Sequence, residues 1–232
     1  MPRIALTTAE LESMRSRLCV AALDVFREKG LEAVSLRALA DVVGISHTLP
    51  YRYFENKEAL LASVRVMCFE HFEAYVRERE PVDAPVLDRV LSVVDAYVGF
   101  VNEHPAEYQL IFATPQPPPV RYPELLAARK SLFEHSVELA QLCVDEGHIG
   151  GDAREIAHSI WGSLHGLLTL HVANQLVHGY GIDALVRPTV YRILGLPMTT
   201  VYKVSDQQPA PVRKPSKKIL KQAGAKLTPK GR

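Results

Sequence analysis

Residues 35–57 read SLRALADVVGISHTLPYRYFENK and hold two short amphipathic segments on either side of a tight turn. Ser35 is a candidate N-cap, because the apolar residues after it recur at the three- and four-residue spacing of a helix. Gly44 permits the positive φ that a sharp turn needs, and Ser46 is a candidate cap for a second helix over about 47–53. The segment therefore predicts two short helices that meet at an angle, as in a helix-turn-helix.

The turn alone is explained equally well by an ordinary corner between two core helices. The composition of the second helix favours a different role, since only Leu49 and Phe54 are plainly apolar core residues there. The remaining side chains are polar or amphipathic: His47, Thr48, Tyr51, Arg52 and Tyr53. Tyrosine and arginine donate hydrogen bonds to phosphates, and arginine also pairs with guanine in the major groove. We interpret the second helix as a DNA-contacting element.

Helical periodicity continues on both sides of this segment. Thr7 and Glu10 form a candidate capping box for a helix over about 8–29, and Asn56 is a candidate cap for one over about 57–79. Further helices are predicted over about 86–103, from Pro105, and over about 123–146, 153–178 and 182–194. Only Thr199–Val204 could be extended. The sequence predicts an all-α fold of about nine helices.

The chain has 27 Lys and Arg against 26 Asp and Glu, but this balance hides two oppositely charged parts. Residues 205–232 carry eight basic residues and one acidic residue, which leaves 19 basic and 25 acidic residues in 1–204. We predict that this tail is disordered, and either keeps the protein soluble or adds salt-dependent affinity for DNA. There is no signal pattern and no apolar stretch that could span a membrane, so we expect a cytoplasmic protein.

Enzymatic and metal chemistry have little support in the sequence. The three cysteines are widely spaced, and none of the nine histidines forms a His-x-x-x-His pair, so we expect neither a metal site nor a cofactor. An enzyme with a vestigial helix-turn-helix would need polar groups that converge in a cleft. No recognisable set of that kind occurs, and we expect no catalytic activity.

Residues 11–64 resemble the DNA-binding domain of TetR/AcrR-type transcriptional regulators. The resemblance rests on Ala21–Gly30 (AALDVFREKG), Ser35–Ala40 (SLRALA), Gly44–Ser46 (GIS), Tyr51–Phe54 (YRYF) and Asn56–Leu61 (NKEALL). It implies an all-helical protein with a three-helix N-terminal domain and a larger C-terminal domain that dimerises. We accordingly divide the chain into a DNA-binding domain at 1–60, an effector-binding and dimerisation domain at 61–204, and the tail.

The resemblance also implies individual roles in DNA binding. Ser35, Tyr51, Tyr53 and Lys57 match phosphate-contacting positions, Arg37 matches a backbone or base contact, and His47 and Thr48 lie where the family reads base edges. We add Arg52 to these DNA-binding candidates because arginine can bind a phosphate or guanine. Pro50 departs from the family, which usually has an aliphatic residue there. Because proline lacks an amide hydrogen, we expect the second helix to tilt or to start later.

The stretch Trp161–Gly166 (WGSLHG) resembles the C-terminal domain of a TetR subgroup named for its Trp, His and Gly. Trp161 and His165 lie one helical turn apart and could form a pocket wall, although a packed tryptophan with His165 bonded to a backbone carbonyl remains an alternative. Gly162 and Gly166 would permit close helix packing, as at a dimer interface. The candidate pocket residues are His104, Tyr108, Phe112, Cys143, Trp161 and His165.

These observations together predict a homodimeric transcriptional regulator that binds a near-palindromic operator. A repressor is favoured over an activator. We expect a small-molecule effector to bind in the C-terminal helices and to release the protein from DNA. The helices at 152–194 are the candidates for the dimer contact. The alternative is a DNA-binding protein without an effector, whose C-terminal domain only dimerises.

Overall fold

The computed structural model describes residues 7–197, and all the regular structure within that range is helical. This confirms the predicted all-α fold. The predicted extended stretch 199–204 and the basic tail 205–232 lie outside the described residues. The eight α-helices are α1 (Thr8–Lys29), α2 (Leu36–Val43), α3 (Lys57–Arg79), α4 (Val86–Glu103), α5 (Pro105–Tyr108), α6 (Pro123–Asp145), α7 (Ala153–Val172) and α8 (Ile182–Ile193).

Side-chain caps fix the starts of the N-terminal helices where the sequence predicted them. The Thr7 hydroxyl accepts a hydrogen bond from the Glu10 amide at 3.3 Å, and the Glu10 carboxylate accepts one from the Thr7 amide at 2.7 Å. Ser35 Oγ accepts from the Ala38 amide at 3.1 Å. These bonds satisfy amides that lack a partner within the helix, so the helix starts follow from local sequence.

The predicted second helix of the helix-turn-helix is not an α-helix. Residues 47–49 form a turn, and Pro50–Arg52 form a single 3-10 turn. The Leu49 amide donates to the Ser46 carbonyl at 2.9 Å, and the Arg52 amide donates to the Leu49 carbonyl at 3.0 Å. Pro50 has no amide hydrogen for the i→i−4 bond to Ser46 that an α-helix requires. This accounts for eight α-helices in residues 7–197 instead of about nine.

Helix α7 ends at Val172, about six residues earlier than the sequence predicted. Asn174 has a φ of 55°, and the Gln175 amide donates to the Leu170 carbonyl at 2.8 Å. This is a Schellman ending, in which asparagine takes the left-handed position that glycine usually holds.

Helix α3 joins the two halves of the described structure through one continuous core. It packs against α1 and also against α4 and α6. Phe72 of α3 is fully buried and stacks on Phe100 of α4, with ring centroids 4.2 Å apart. A domain boundary near residue 60 would lie in the first turn of α3, so a displacement of α3 would reach both halves of the chain.

A buried arginine anchors the segment that follows α5. Arg65 of α3 donates to the Leu110 carbonyl at 3.3 Å, the Thr114 hydroxyl at 3.0 Å and the Pro115 carbonyl at 2.9 Å. The π-helical turn Gln109–Ala113 and the proline-rich loop after it are thereby tied to the core. The three cysteines are free and buried, and none of the described helices is long and apolar enough to cross a bilayer.

Candidate nucleic-acid interface and effector cavity

The polar residues of the helix-turn-helix segment divide into an exposed and a partly buried group. The exposed group consists of Arg37, His47, Thr48, Tyr51 and Arg52. Ser35, Tyr53 and Lys57 are partly buried. Tyr51 is 58% exposed, so its ring and hydroxyl can contact another molecule.

Apolar residues hold this exposed surface in place from below. Leu39, Ala40, Pro50 and Phe54 are buried. Gly44 has a φ of 73°, and its amide and that of Ile45 both donate to the Ala40 carbonyl. The turn is therefore fixed by backbone bonds that need a left-handed residue, as the glycine predicted.

Arg15 of α1 supports the segment from the other side, and sequence reasoning did not single it out. Its guanidinium donates to the Tyr53 carbonyl at 2.8 Å and to the Ser63 hydroxyl at 3.2 Å. It also lies 4.7 Å from the centroid of the Phe54 ring. A single arginine on an amphipathic helix carries no sequence signal for such a long-range contact.

The partly buried candidates make contacts within the protein. Lys57 Nζ donates to the Leu31 carbonyl at 2.7 Å, and the Ser35 hydroxyl caps α2. Tyr53 packs against the hydrophobic core. Ser35 is the N-cap of α2 and Lys57 is the first residue of α3, so both lie at helix N-termini, where backbone amides favour anions.

The six candidate pocket residues do not line one pocket. Phe112, Trp161 and His165 lie on a cavity of about 490 Å³ between the π-helical turn, α6 and α7. Cys143 lies instead on a separate cavity of about 60 Å³, which also touches Trp161. Tyr108 lies behind His165, and His104 is directed towards His71 and Glu107. Helical spacing does not show which helix face meets which neighbour, and the effector-binding role of the six residues stays a prediction.

His165 is bonded to a tyrosine and not to a backbone carbonyl. Tyr108 Oη and His165 Nδ1 are 2.8 Å apart, and the Trp161 ring stacks near His165 with the ring planes 19° apart. Burial lowers the pKa of His165 and raises the pKa of Tyr108. Both groups are therefore favoured in their neutral forms, and the imidazole tautomer decides which of the two donates the hydrogen bond.

The larger cavity has aromatic walls and a basic rim. Phe69, Phe112, Phe133 and Trp161 supply the aromatic surface. Arg129, Lys130 and Arg154 also border the cavity, and Arg154 is engaged by two hydrogen bonds to Glu134 at 2.9 and 2.6 Å. Within residues 7–197, Arg129 and Lys130 form no ion pair. Such a cavity suits an apolar molecule with an anionic group.

Two family models match the chain. Residues 18–64 match the bacterial regulatory proteins of the tetR family, and residues 90–193 match the tetracyclin repressor-like C-terminal domain. Together they cover about two thirds of the chain. The narrower Trp-His-Gly subgroup stays a prediction.

Curated proteins and solved structures agree with these matches. The chain is 27% identical over 101 residues to the transcriptional activator FasR of Mycolicibacterium smegmatis, and 30% identical over 94 residues to the transcriptional regulator UidR of Escherichia coli K12. These matches span 44% and 40% of this chain, and 46% of either relative. A structure of a protein of unknown function from Rhodococcus sp. RHA1 has a TM-score of 0.69 at 24% identity, covering 84% of this chain and 98% of that one.

Between residues 7 and 197 the regular structure is all helical, and α2 ends in a polar, exposed turn. The chain belongs to the TetR family of bacterial regulators, as its sequence predicted. The curated relatives that it matches are transcriptional regulators, and the chain spans about half the length of those relatives.

Proposed function

We propose that the protein is a homodimeric repressor that binds a near-palindromic operator and is released from it by a small-molecule effector. The observation that carries this proposal is the exposed set Arg37, His47, Thr48, Tyr51 and Arg52 on a buried apolar support. Exposed donors on a rigid element can meet base edges and phosphates without reorganisation, which favours specific binding.

Within this proposal the eight residues have different tasks. Arg37, His47, Thr48 and Arg52 are directed to base edges or nearby phosphates, while Tyr51 and Tyr53 contact the DNA backbone. Ser35 and Lys57 would bind phosphates at the starts of α2 and α3. Because the segment after Gly44 is a turn and one 3-10 turn, it would enter the groove over a shorter length than a full α-helix.

Helices α7 and α8 are our candidates for the dimer interface. Gly162 and Gly166 of α7 are exposed, and a side-chain carbon placed on either would meet no atom within 4 Å. Leu170 and Val172 are each 44% exposed further along the helix. Small and apolar residues on one helix allow a second helix to approach closely, so a partner copy could pack here.

The effector would bind in the cavity beside Trp161 and His165. A volume of about 490 Å³ is within the range of small-molecule sites. The cavity therefore favours control by an effector rather than the alternative, in which the C-terminal domain only dimerises. An effector with apolar bulk and an anionic group would contact Arg129 and Lys130 at the rim. It would release DNA only if it bound the DNA-free conformation more tightly than the DNA-bound one.

The cavity is connected to the DNA-contacting end through packed helices. Phe69 and Phe112, which both line it, have ring centroids 5.7 Å apart, and Phe69 belongs to α3. Helix α3 starts at Lys57, beside the helix-turn-helix segment. A molecule that pushes Phe69 would thus act on the helix that connects the two parts.

Selection of bound duplexes from a random DNA pool tests the proposed function. We expect the untagged full chain to enrich a near-palindrome whose half-sites lie on one face of the helix, about 10 base pairs or a multiple apart. Failure to enrich any sequence would overturn sequence-specific binding. Enrichment of single, unpaired half-sites would overturn the dimeric mode.

A further inference from the structure

We propose that His71, His104 and Glu107 form a binding site for a divalent transition-metal ion, of which Zn²⁺ is the best match. His71 Nδ1 lies 2.8 Å from one carboxylate oxygen of Glu107, and His104 Nδ1 lies 3.4 Å from the other. The three potential ligand atoms all lie within 4.8 Å of one another. Two imidazoles and one carboxylate are a common zinc ligand set.

The three residues come from separate elements, which is why their spacing in the sequence gave no sign of a site. His71 lies on α3, His104 caps the end of α4, and Glu107 lies in the first turn of α5. The His71 ring contacts those of Phe100 and His104, with centroids 5.5 and 4.6 Å apart. The packing of α3 against α4 therefore holds the two imidazoles next to the carboxylate.

The burial of Glu107 favours a cation at this position. Its side chain is only 7% exposed, and its ion-pair partners within residues 7–197 are the two histidines alone. Burying a carboxylate is costly unless an opposite charge compensates it. A divalent cation bound by all three groups would supply that charge.

Small side-chain movements bring the ligands to coordination distance. Zinc lies about 2.0–2.1 Å from histidine nitrogen, so two ligands of one ion are separated by no more than about 4.2 Å. The His71 side chain is 44% exposed, so its ring can adjust on the solvent side. Because this side faces solvent, a water molecule can fill a remaining position. Imidazole ligands favour zinc, cobalt, nickel or copper over magnesium and calcium.

A bound ion would fasten α3 to the junction of α4 and α5. This role does not depend on the proposed effector cavity, whose lining includes none of the three residues. Metal that binds only the folded chain stabilises it in proportion to the logarithm of its concentration.

The test uses the untagged full-length protein after treatment with a chelator. Zn²⁺ at a hundred times its dissociation constant should raise the melting temperature by roughly 5–10 °C, and Co²⁺ should give visible absorption bands of a bound ion. His71→Gln and Glu107→Gln should each remove most of both signals. His148→Gln, at an exposed histidine outside the cluster, should retain them.

The variants keep the test decisive. Glu107→Gln preserves the shape of a buried side chain, and His71→Gln changes an exposed one, so at least the second should fold without metal. The proposal is overturned if the wild type shows neither a melting shift nor Co²⁺ absorption. It is equally overturned if both signals persist in His71→Gln.

Discussion

His47 Nε2 lies 2.7 Å from Asp41 Oδ1, so a residue that we propose to read bases is bonded to the preceding helix. Both side chains are well exposed, at 49% and 64%. The contact orients the imidazole across the turn. It also places a carboxylate on the surface that we propose faces the phosphates.

Asp41→Asn should strengthen DNA binding. The substitution removes a negative charge from the proposed interface and keeps a side chain of the same shape, so repulsion from phosphates falls. We expect a gain of about threefold, because interactions of exposed charges are worth about 0.2–1 kcal/mol. Fluorescence anisotropy with the selected duplex measures it. Asp145→Asn on α6 is the charge-matched control, and an equal gain there would show that only net charge matters.

Tyr51→Ala should weaken binding to every DNA sequence by a similar factor. A hydrogen bond from the hydroxyl to a phosphate carries no base information, and a bond to a charged group is worth about 1.5–3 kcal/mol, or about 10- to 100-fold. Tyr51→Phe should reproduce most of the loss because it removes only the hydroxyl. Affinities for the selected duplex and two mismatched ones provide the comparison. A changed order of preference would contradict the assigned role.

Local sequence predicted the helix starts well because caps act over three or four residues, as Thr7, Ser35 and Asn56 show. The turn after Gly44 was predicted for the same reason. The α-helix predicted over 47–53 does not form, because Pro50 removes one backbone hydrogen bond that an α-helix needs. The periodicity of the side chains does not show whether such a backbone bond is lost.

Contacts between distant elements could not be read from the sequence. Arg15 reaches Tyr53 across 38 residues, and Arg65 reaches Leu110 across 45. The contact between Tyr108 and His165 spans 57 residues and could not be read from the sequence for the same reason. Only the three-dimensional packing of α3, α4 and α7 decides such pairs.

Arg65→Met should destabilise the fold. The side chain is 2% exposed and donates three hydrogen bonds, two of them to backbone carbonyls at the end of the π-helical turn. Removing the guanidinium leaves the Pro115 carbonyl without its side-chain donor, whereas the Leu110 carbonyl keeps the Thr114 hydroxyl as a donor. We expect a loss of about 2–4 kcal/mol in the free energy of unfolding. Urea denaturation measures it. A change below about 0.5 kcal/mol would show that the loop is not held by Arg65.

The pH dependence of stability should reveal His165. Its pKa in the folded protein is lowered from the ordinary value of 6.5 by burial. Between these two values the unfolded chain binds a proton at His165 and the folded chain does not, so acidification favours unfolding. The free energy of unfolding of wild type minus that of His165→Asn should therefore be larger at about pH 7.5 than at about pH 5.5. A difference that is the same at both pH values would contradict a neutral, buried His165.

The central claim is that the exposed residues of the helix-turn-helix segment contact DNA. Its most direct test compares the affinities of two double variants for the selected duplex. The first is Arg37→Ala/Arg52→Ala. The control is Arg129→Ala/Lys130→Ala, which removes the same charge from exposed positions on α6. We predict a loss of at least about 100-fold for the first pair, because two charge-assisted bonds are lost, and no more than about twofold for the second. Equal losses in two equally folded variants would show that DNA is bound through overall charge and not through this surface.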